Sequence, residues 1–217
     1  MIIQKFLHSC LLIEENGKKL LIDPGWFCFI ENKLKPEDIG PVDAILLTHK
    51  HPDHYYPEAL KWFVSKRKTR IICNQEISEL LRKENMEYEI IKENETKTIE
   101  GFIIQAFEAP HGCLPTEVPH NLAFLINNKL LHPGDSFDVK NIPEIVMLAL
   151  PVFGPWATLT DALEFAKKAK PRIAIPIHDA IIKDFMLERM YAIICKPFLE
   201  KNNIEFRTPD LGEKIII

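Results

Sequence analysis

Seven consecutive residues, Thr48-His49-Lys50-His51-Pro52-Asp53-His54, constrain this chain more than any other stretch. Three imidazoles and one carboxylate follow directly on the apolar run Ala44-Ile45-Leu46-Leu47. That run is short, continuous and bounded by turn-forming residues, so it reads as a buried strand. The loop after it starts at the strand's carboxyl end, where open sheets tend to hold ligands. Neutral imidazole and carboxylate suit zinc and neighbouring first-row metals. His49 and His51 point the same way on an extended segment, whereas the adjacent Asp53 and His54 reach a different point. Four donors aimed at two points suggest two metal ions; the alternative is a polar turn that happens to be rich in histidine.

A site of this kind needs a scaffold, and 217 residues of which 47% are hydrophobic suffice for one large core or two small layers. The formal net charge of -4 implies no strongly basic face, so nucleic acid is not a favoured partner. The basic stretch Lys66-Arg67-Lys68 with Arg70 reads as a solvated loop. Cysteines at 10, 28, 73, 113 and 195 are odd in number and form no Cys-x-x-Cys pair. A disulfide framework or a zinc knuckle is therefore not expected, and most of the thiols should be small buried side chains in a reducing cytoplasm. Glu14 and Glu15 interrupt what would be the apolar part of a signal peptide. The longest apolar stretch, 145–153, contains Pro151 and is too short to span a bilayer.

In chain order, 2–7, 10–14 and 18–22 read as a meander of strands, with Asn16-Gly17 as a hairpin turn. Asp23-Pro24-Gly25 ends the third strand in a turn. Residues 26–41 have no clear period, and a loop of that length is more often functional than idle. Further strands are predicted over 43–47, 70–73, 88–91, 97–99, 102–107, 121–126, 129–131, 145–150, 172–177, 204–207 and 214–217. Helices are predicted over 57–65, 75–84 and 158–169, the first with proline in its opening turn and the last with Thr158 as cap. Residues 183–199 read as mostly helical, with Pro197 disturbing the last turn. Asn127-Asn128 marks a second hairpin. The order, strand-rich and then mixed, occurs twice over and suits two sheets packed face to face with helices outside, as one domain.

His111, Asp135 and His178 each follow an apolar run. Each alone has an ordinary reading, as a turn aspartate or a capping or core histidine. Beside the 48–54 cluster they become candidates for the same rim.

On these residues the chain resembles the metallo-β-lactamase-fold hydrolases over nearly its whole length. His49, His51, Asp53 and His54 match the His-x-His-x-Asp-His motif, His111 the third-motif histidine, Asp135 in Gly134-Asp135-Ser136 the bridging aspartate, and His178 the last histidine. The resemblance implies a single-domain, four-layer αββα sandwich of α/β class over 1–217. It implies one ion on His49, His51 and His111, another on Asp53, His54 and His178, and Asp135 between them. The ions would be zinc, with manganese or iron as alternatives. Leu7-His8-Ser9-Cys10-Leu11-Leu12-Ile13, Leu21-Ile22-Asp23-Pro24-Gly25 and Pro151-Val152-Phe153-Gly154-Pro155-Trp156 resemble the group holding ascorbate-6-phosphate lactonase-like proteins and the N-acylphosphatidylethanolamine phospholipase D type. Lys50 departs from the small residue frequent at its position.

Two cations sharing a water lower its pKa and polarise the oxygen under attack. That chemistry suits hydrolysis of an ester, lactone, amide or phosphodiester in a small molecule, with Asp53 able to take or relay the water's proton. The fold does not choose among these bonds. An iron-dependent oxidoreductase on the same fold and a non-catalytic metal-binding module are the alternatives. His8 and Asp23 are candidate outer partners of the metal-bound histidines or substrate groups, as are, less so, His120 and His132. Trp26, Phe27, Phe29 and Trp156 are candidates for an apolar pocket wall; core packing is the other reading. The oligomeric state is open.

Overall fold

A computed structural model of the chain describes residues 1–30 and 33–217, so part of the 26–41 stretch lies outside the described residues. Alternation with a period of two decides its architecture. In β2 (Leu11–Glu15), β3 (Lys18–Ile22) and β4 (Ala44–Leu46), one set of side chains, Leu11, Ile13, Leu20, Ile22, Ala44 and Leu46, enters a central core. The residues between them, Leu12, Leu21 and Ile45, turn to a second core on the outer face. The other half of the chain repeats the pattern. In β9 (Leu122–Ile126), β11 (Met147–Pro151) and β12 (Ile173–Ile177), Leu122, Phe124, Ile126, Met147, Ala149, Ile173 and Ile175 share the central core. Ala123, Leu125, Leu148, Leu150 and Ala174 face a third core. Three apolar interlayers require four layers.

The first sheet runs β14 (Lys214–Ile216), β1 (Ile2–Lys5), β2, β3, β4, β5 (Arg70–Cys73), β6 (Glu89–Ile90). The second runs β13 (Glu205–Phe206), β12, β11, β10 (Leu130–His132), β9, β8 (Phe102–Glu108), β7 (Thr96–Ile99). The first is antiparallel from β14 to β3 and parallel from β3 to β6; the second is parallel from β13 to β10 and antiparallel from β10 to β7. Two-residue turns with positive φ at both positions join β2 to β3 (Asn16, Gly17) and β7 to β8 (Glu100, Gly101), and a three-residue turn with positive φ at Asn127 and Asn128 joins β9 to β10. Helices α1 (Pro36–Ile39), α2 (Pro57–Lys66) and α3 (Gln75–Lys83) cover the first sheet through Ile39, Leu60, Phe63, Ile77 and Leu81. Phe63 is fully buried, a placement worth roughly 1.5–3 kcal/mol. Helix α4 (Leu159–Ala169), capped by Thr158 and Asp161 in a reciprocal box, covers the second sheet through Ala162, Leu163, Phe165 and Ala166.

The helical stretch near the end of the chain differs from expectation. It runs as α5 (Asp184–Met190), one π-helical turn (Tyr191–Cys195) and α6 (Lys196–Lys201). Pro197 lies in the first turn of α6, where its missing N–H is not needed, and the widened turn before it absorbs the change of pitch. No helix among the described residues is long and apolar enough to cross a membrane.

Strand ends set the rim. Asp23 follows β3, the 48–54 loop follows β4, His111 follows β8, Asp135 follows β10, His178 follows β12, and His8 sits in the β1–β2 connection.

Candidate metal centre

The loop after β4 is held from beneath by Asp23. The carboxylate accepts the Thr48 backbone N–H (2.9 Å) and hydroxyl (2.7 Å), and lies 2.7 Å from His54 Nδ1. A carboxylate at neutral pH accepts rather than donates, so Nδ1 carries the proton and His54 Nε2 faces the site. Asp23 reaches this place from a left-handed backbone (φ 46), with its N–H on the Leu46 carbonyl. Gly25 then passes so close that an added Cβ would lie 1.8 Å from the Asp53 carbonyl oxygen. The Asp23-Pro24-Gly25 turn is thus the floor of the histidine loop.

Two groups of ligand-type atoms gather above it: His49, His51, His111 and Asp135, and His8, Asp53, His54 and His178. Within each group the atoms lie within 4.8 Å of one another. Asp135 stands between the groups. Its Oδ2 is 3.9 Å from His49 Nε2, 3.5 Å from His111 Nε2 and 3.0 Å from His178 Nε2, and its Oδ1 is 3.0 Å from His54 Nε2. Asp53 Oδ2 lies 3.0 Å from His8 Nε2 and 3.3 Å from His178 Nε2. All seven residues that the motif match picks out therefore gather at one rim in two adjoining groups, and His8 joins them. His8 (φ 59) and His178 (φ 62) both hold left-handed backbone, a conformation that histidine adopts more readily than most side chains.

Four of these atoms, His54 Nε2, His111 Nε2, His178 Nε2 and Asp135 Oδ1, are buried and make no aligned hydrogen bond. Each such atom left unsatisfied costs about 1–3 kcal/mol. A cation between them removes that cost, and the all-imidazole and carboxylate donor set is one that divalent first-row metals accept. The residues present fit such ions.

The charge balance agrees. Burial alone would push the carboxyls of Asp53 and Asp135 up; the surrounding histidines outweigh it and hold both well below the usual range. Burial pushes His49 and His51 down and His8 down to about 4, so these rings are neutral, as ligands must be. His54 and His178 go the other way. Burial is the largest single influence and opposes their charge, but the surrounding carboxylates together exceed it and raise both: Asp135, Asp23 and Asp53 for His54, and Asp135 and Asp53 for His178, which goes to about 9. The site therefore calls for positive charge.

Two asparagines that the sequence did not mark brace the site. Asn121 donates to the carbonyls of Ala109 and Pro133 and accepts the Asp135 N–H, tying the His111 and Asp135 loops together. Gly134, at φ 59, lets that side chain approach. Asn74, the cap of α3, donates to the carbonyls of Thr48 and His120. A cap was readable before α3; nothing in the sequence pointed to Asn121. Trp156 donates its indole N–H to Asp135 Oδ2 at 2.8 Å, and Gly112 and Gly154 make room for its ring. His132 is buried with Nε2 3.0 Å from the Ser9 carbonyl, below the site rather than in it. His120 is exposed and pairs with Glu93 away from the clusters.

A pocket of about 280 Å3 opens onto the clusters, lined by His51, Asp53, Asp135 and His178 and by Phe27, Leu114, Pro155, Trp156 and Ile181. Phe27 and Trp156 are thus in its wall. Trp26 is outside it, 46% exposed beside Phe27, and Phe29 packs on Tyr56 in the first sheet's outer core.

Residues 2–178 match the family model described as the beta-lactamase superfamily domain. A UPF0173 metal-dependent hydrolase of Thermoplasma acidophilum is 33% identical over 79% of this chain and 80% of its own length. A UPF0173 protein of Pyrococcus furiosus is 31% identical over 79% and 80%. Among solved structures, a metallo hydrolase from the hyperthermophilic archaeon Ignicoccus hospitalis has a similar fold, with a TM-score of 0.74, 20% identity and coverage of 99% of this chain and 97% of that one.

Proposed function

The chain belongs to the β-lactamase superfamily, and on that footing we propose that it is a hydrolase whose two ligand clusters each hold one divalent ion. The observation that carries this reading is the set of four buried ligand atoms without an aligned hydrogen bond, His111 Nε2 in one cluster, His54 Nε2 and His178 Nε2 in the other and Asp135 Oδ1 between them. The relative named a metal-dependent hydrolase, at 33% identity over most of both chains, supports the reaction class. In this reading His49, His51 and His111 serve one ion, Asp53, His54 and His178 the other, and Asp135 both. Divalent ions bound there lower the pKa of water and polarise the oxygen of the bond to be broken.

The chain's own groups supply the rest. Asp53 is the catalytic residue: its side chain is 18% exposed, it borders the pocket, and its carboxylate is placed to take or relay the proton that water releases on attack. His8 holds the carboxylate in place at 3.0 Å. Trp156 fixes one oxygen of Asp135 and walls the pocket against solvent. The substrate is a small molecule with an ester, lactone, amide or phosphodiester bond, and zinc is the ion we favour for this donor set.

Protein stripped by a chelator should lose hydrolysis across a panel of these substrates and regain it with zinc or manganese. Asp53→Ala should lower kcat by roughly 100- to 10,000-fold. Undiminished hydrolysis by metal-free protein contradicts the proposal.

A further inference from the structure

The pocket wall bears on the kind of substrate. Its floor is polar and belongs to the reacting centre: His51, Asp53, Asp135 and His178. The remaining wall is Phe27, Leu114, Pro155, Trp156 and Ile181. None of the described residues lining it is lysine or arginine. Trp156 has a single donor, and Asp135 occupies it, so the indole offers the pocket only its ring. The nearby basic side chain in the histidine loop, Lys50, is held by Glu76 (2.9 Å) and Glu117 (2.6 Å) and does not line the pocket. Lys5, at the other side of the His178 loop, is bound to Asp179 at 3.0 Å. At the mouth, Trp26 beside Phe27 and Ile181 are 46% and 47% exposed, so the apolar surface continues outward.

We propose that the part of the substrate that does not react is uncharged and apolar. This rests on the reading of the site as a hydrolase centre. The volume of about 280 Å3 corresponds to roughly nine groups the size of a water molecule. That admits a short acyl chain or one aromatic ring together with the attacking water. A carboxylate or phosphate placed away from the reacting bond would lose its hydration against phenyl, indole and alkyl groups with no donor in return. For the sugar phosphate implied by one branch of the sequence resemblance, the described residues lining this pocket offer no lysine or arginine to cradle a phosphate. The acyl group of a neutral ester, lactone or thioester meets no such obstacle, because its polar atoms stay at the floor.

The test uses two hydroxamates that differ only in the tail: hexanohydroxamic acid and the analogue of the same chain length ending in a carboxylate. Their binding to the metal-loaded protein is measured by calorimetry. The neutral tail should bind at least about tenfold more tightly. Leu114→Lys should narrow or invert that ratio, and Ile181→Lys, at a half-exposed position, serves where the first variant does not fold. Equal affinities, a preference for the charged tail or binding by neither overturns the inference. The phenyl esters of the same two acids give the second readout. The tail preference in binding without hydrolysis of either ester leaves this inference standing and contradicts the hydrolase reading. Hydrolysis that favours the charged ester contradicts the inference alone.

Discussion

Asp135 faces histidines of both clusters and takes the indole N–H of Trp156 on the oxygen nearest His178. If the two clusters hold one ion each, as proposed, its loss would remove a shared ligand and one negative charge between the ions, which raises their repulsion. Asp135→Ala should therefore empty the site more than His178→Ala does, and His178→Ala should mainly weaken the ion shared with Asp53 and His54. Metal content per chain after dialysis against a weak chelator decides it; loss of both ions from His178→Ala with two retained by Asp135→Ala contradicts the bridge. The spacing of His49, His51, Asp53 and His54 made the centre of the site legible, because four metal-ligating side chains on one loop have few other uses. Asn121 was not legible. Its three partners lie 12 or 14 residues away, and an asparagine in front of a strand carries no mark of what it will hold. Trp156 was readable only as a bulky aromatic, since its value comes from one donor aimed across 21 residues at Asp135.

At the level of elements, the joint between β3 and β4 rests on Asp43. Burial alone would push its carboxyl up, but the bonds from the Lys19 N–H, Lys18 Nζ and Arg67 hold it below the usual range. A carboxyl with a depressed folded pKa stabilises above its unfolded value, near 4, and loses that contribution as pH falls through the folded value. Asp43→Asn should thus cost about 1–2 kcal/mol at neutral pH, with the gap closing as pH drops below about 4. Urea unfolding of both proteins at neutral and acid pH measures it; a gap of the same size at both overturns the assignment. Strands with period-two patterning were legible to within a residue or two, as in β3 and β9, because both faces are buried and apolar. The Asn16-Gly17 and Asn127-Asn128 turns were readable from residues that tolerate positive φ; Glu100-Gly101 was not, since glutamate gives no such signal. The π-turn at 191–195 was also hidden: proline at 197 reads as a breaker, and sequence alone does not say whether it ends one segment or opens the next.

Over the whole molecule, the strand-rich then mixed order repeated in each half foretold two sheets, and three separate apolar cores account for four layers. The return of β14 to pair with β1 was not readable, because a three-residue strand that far from its partner has no local signature. The same packing sorts the thiols. Cys10, Cys28, Cys73 and Cys195 are buried and Cys113 is exposed, and burial pushes Cys73 up to about 12 and Cys195 up to about 11. A thiol reagent at neutral pH should therefore titrate one cysteine per native chain rapidly and all five after denaturation; fast reaction of two or more in the native protein contradicts the packing. The central claim is that one rim gathers two metal sites around a shared carboxylate. Anomalous scattering at the edge of the bound metal, from crystals of protein purified without chelator, tests it most directly. Two peaks per chain should appear, one among His49, His51 and His111 and one among Asp53, His54 and His178, both within reach of Asp135. A single peak, or peaks away from these side chains, contradicts the account.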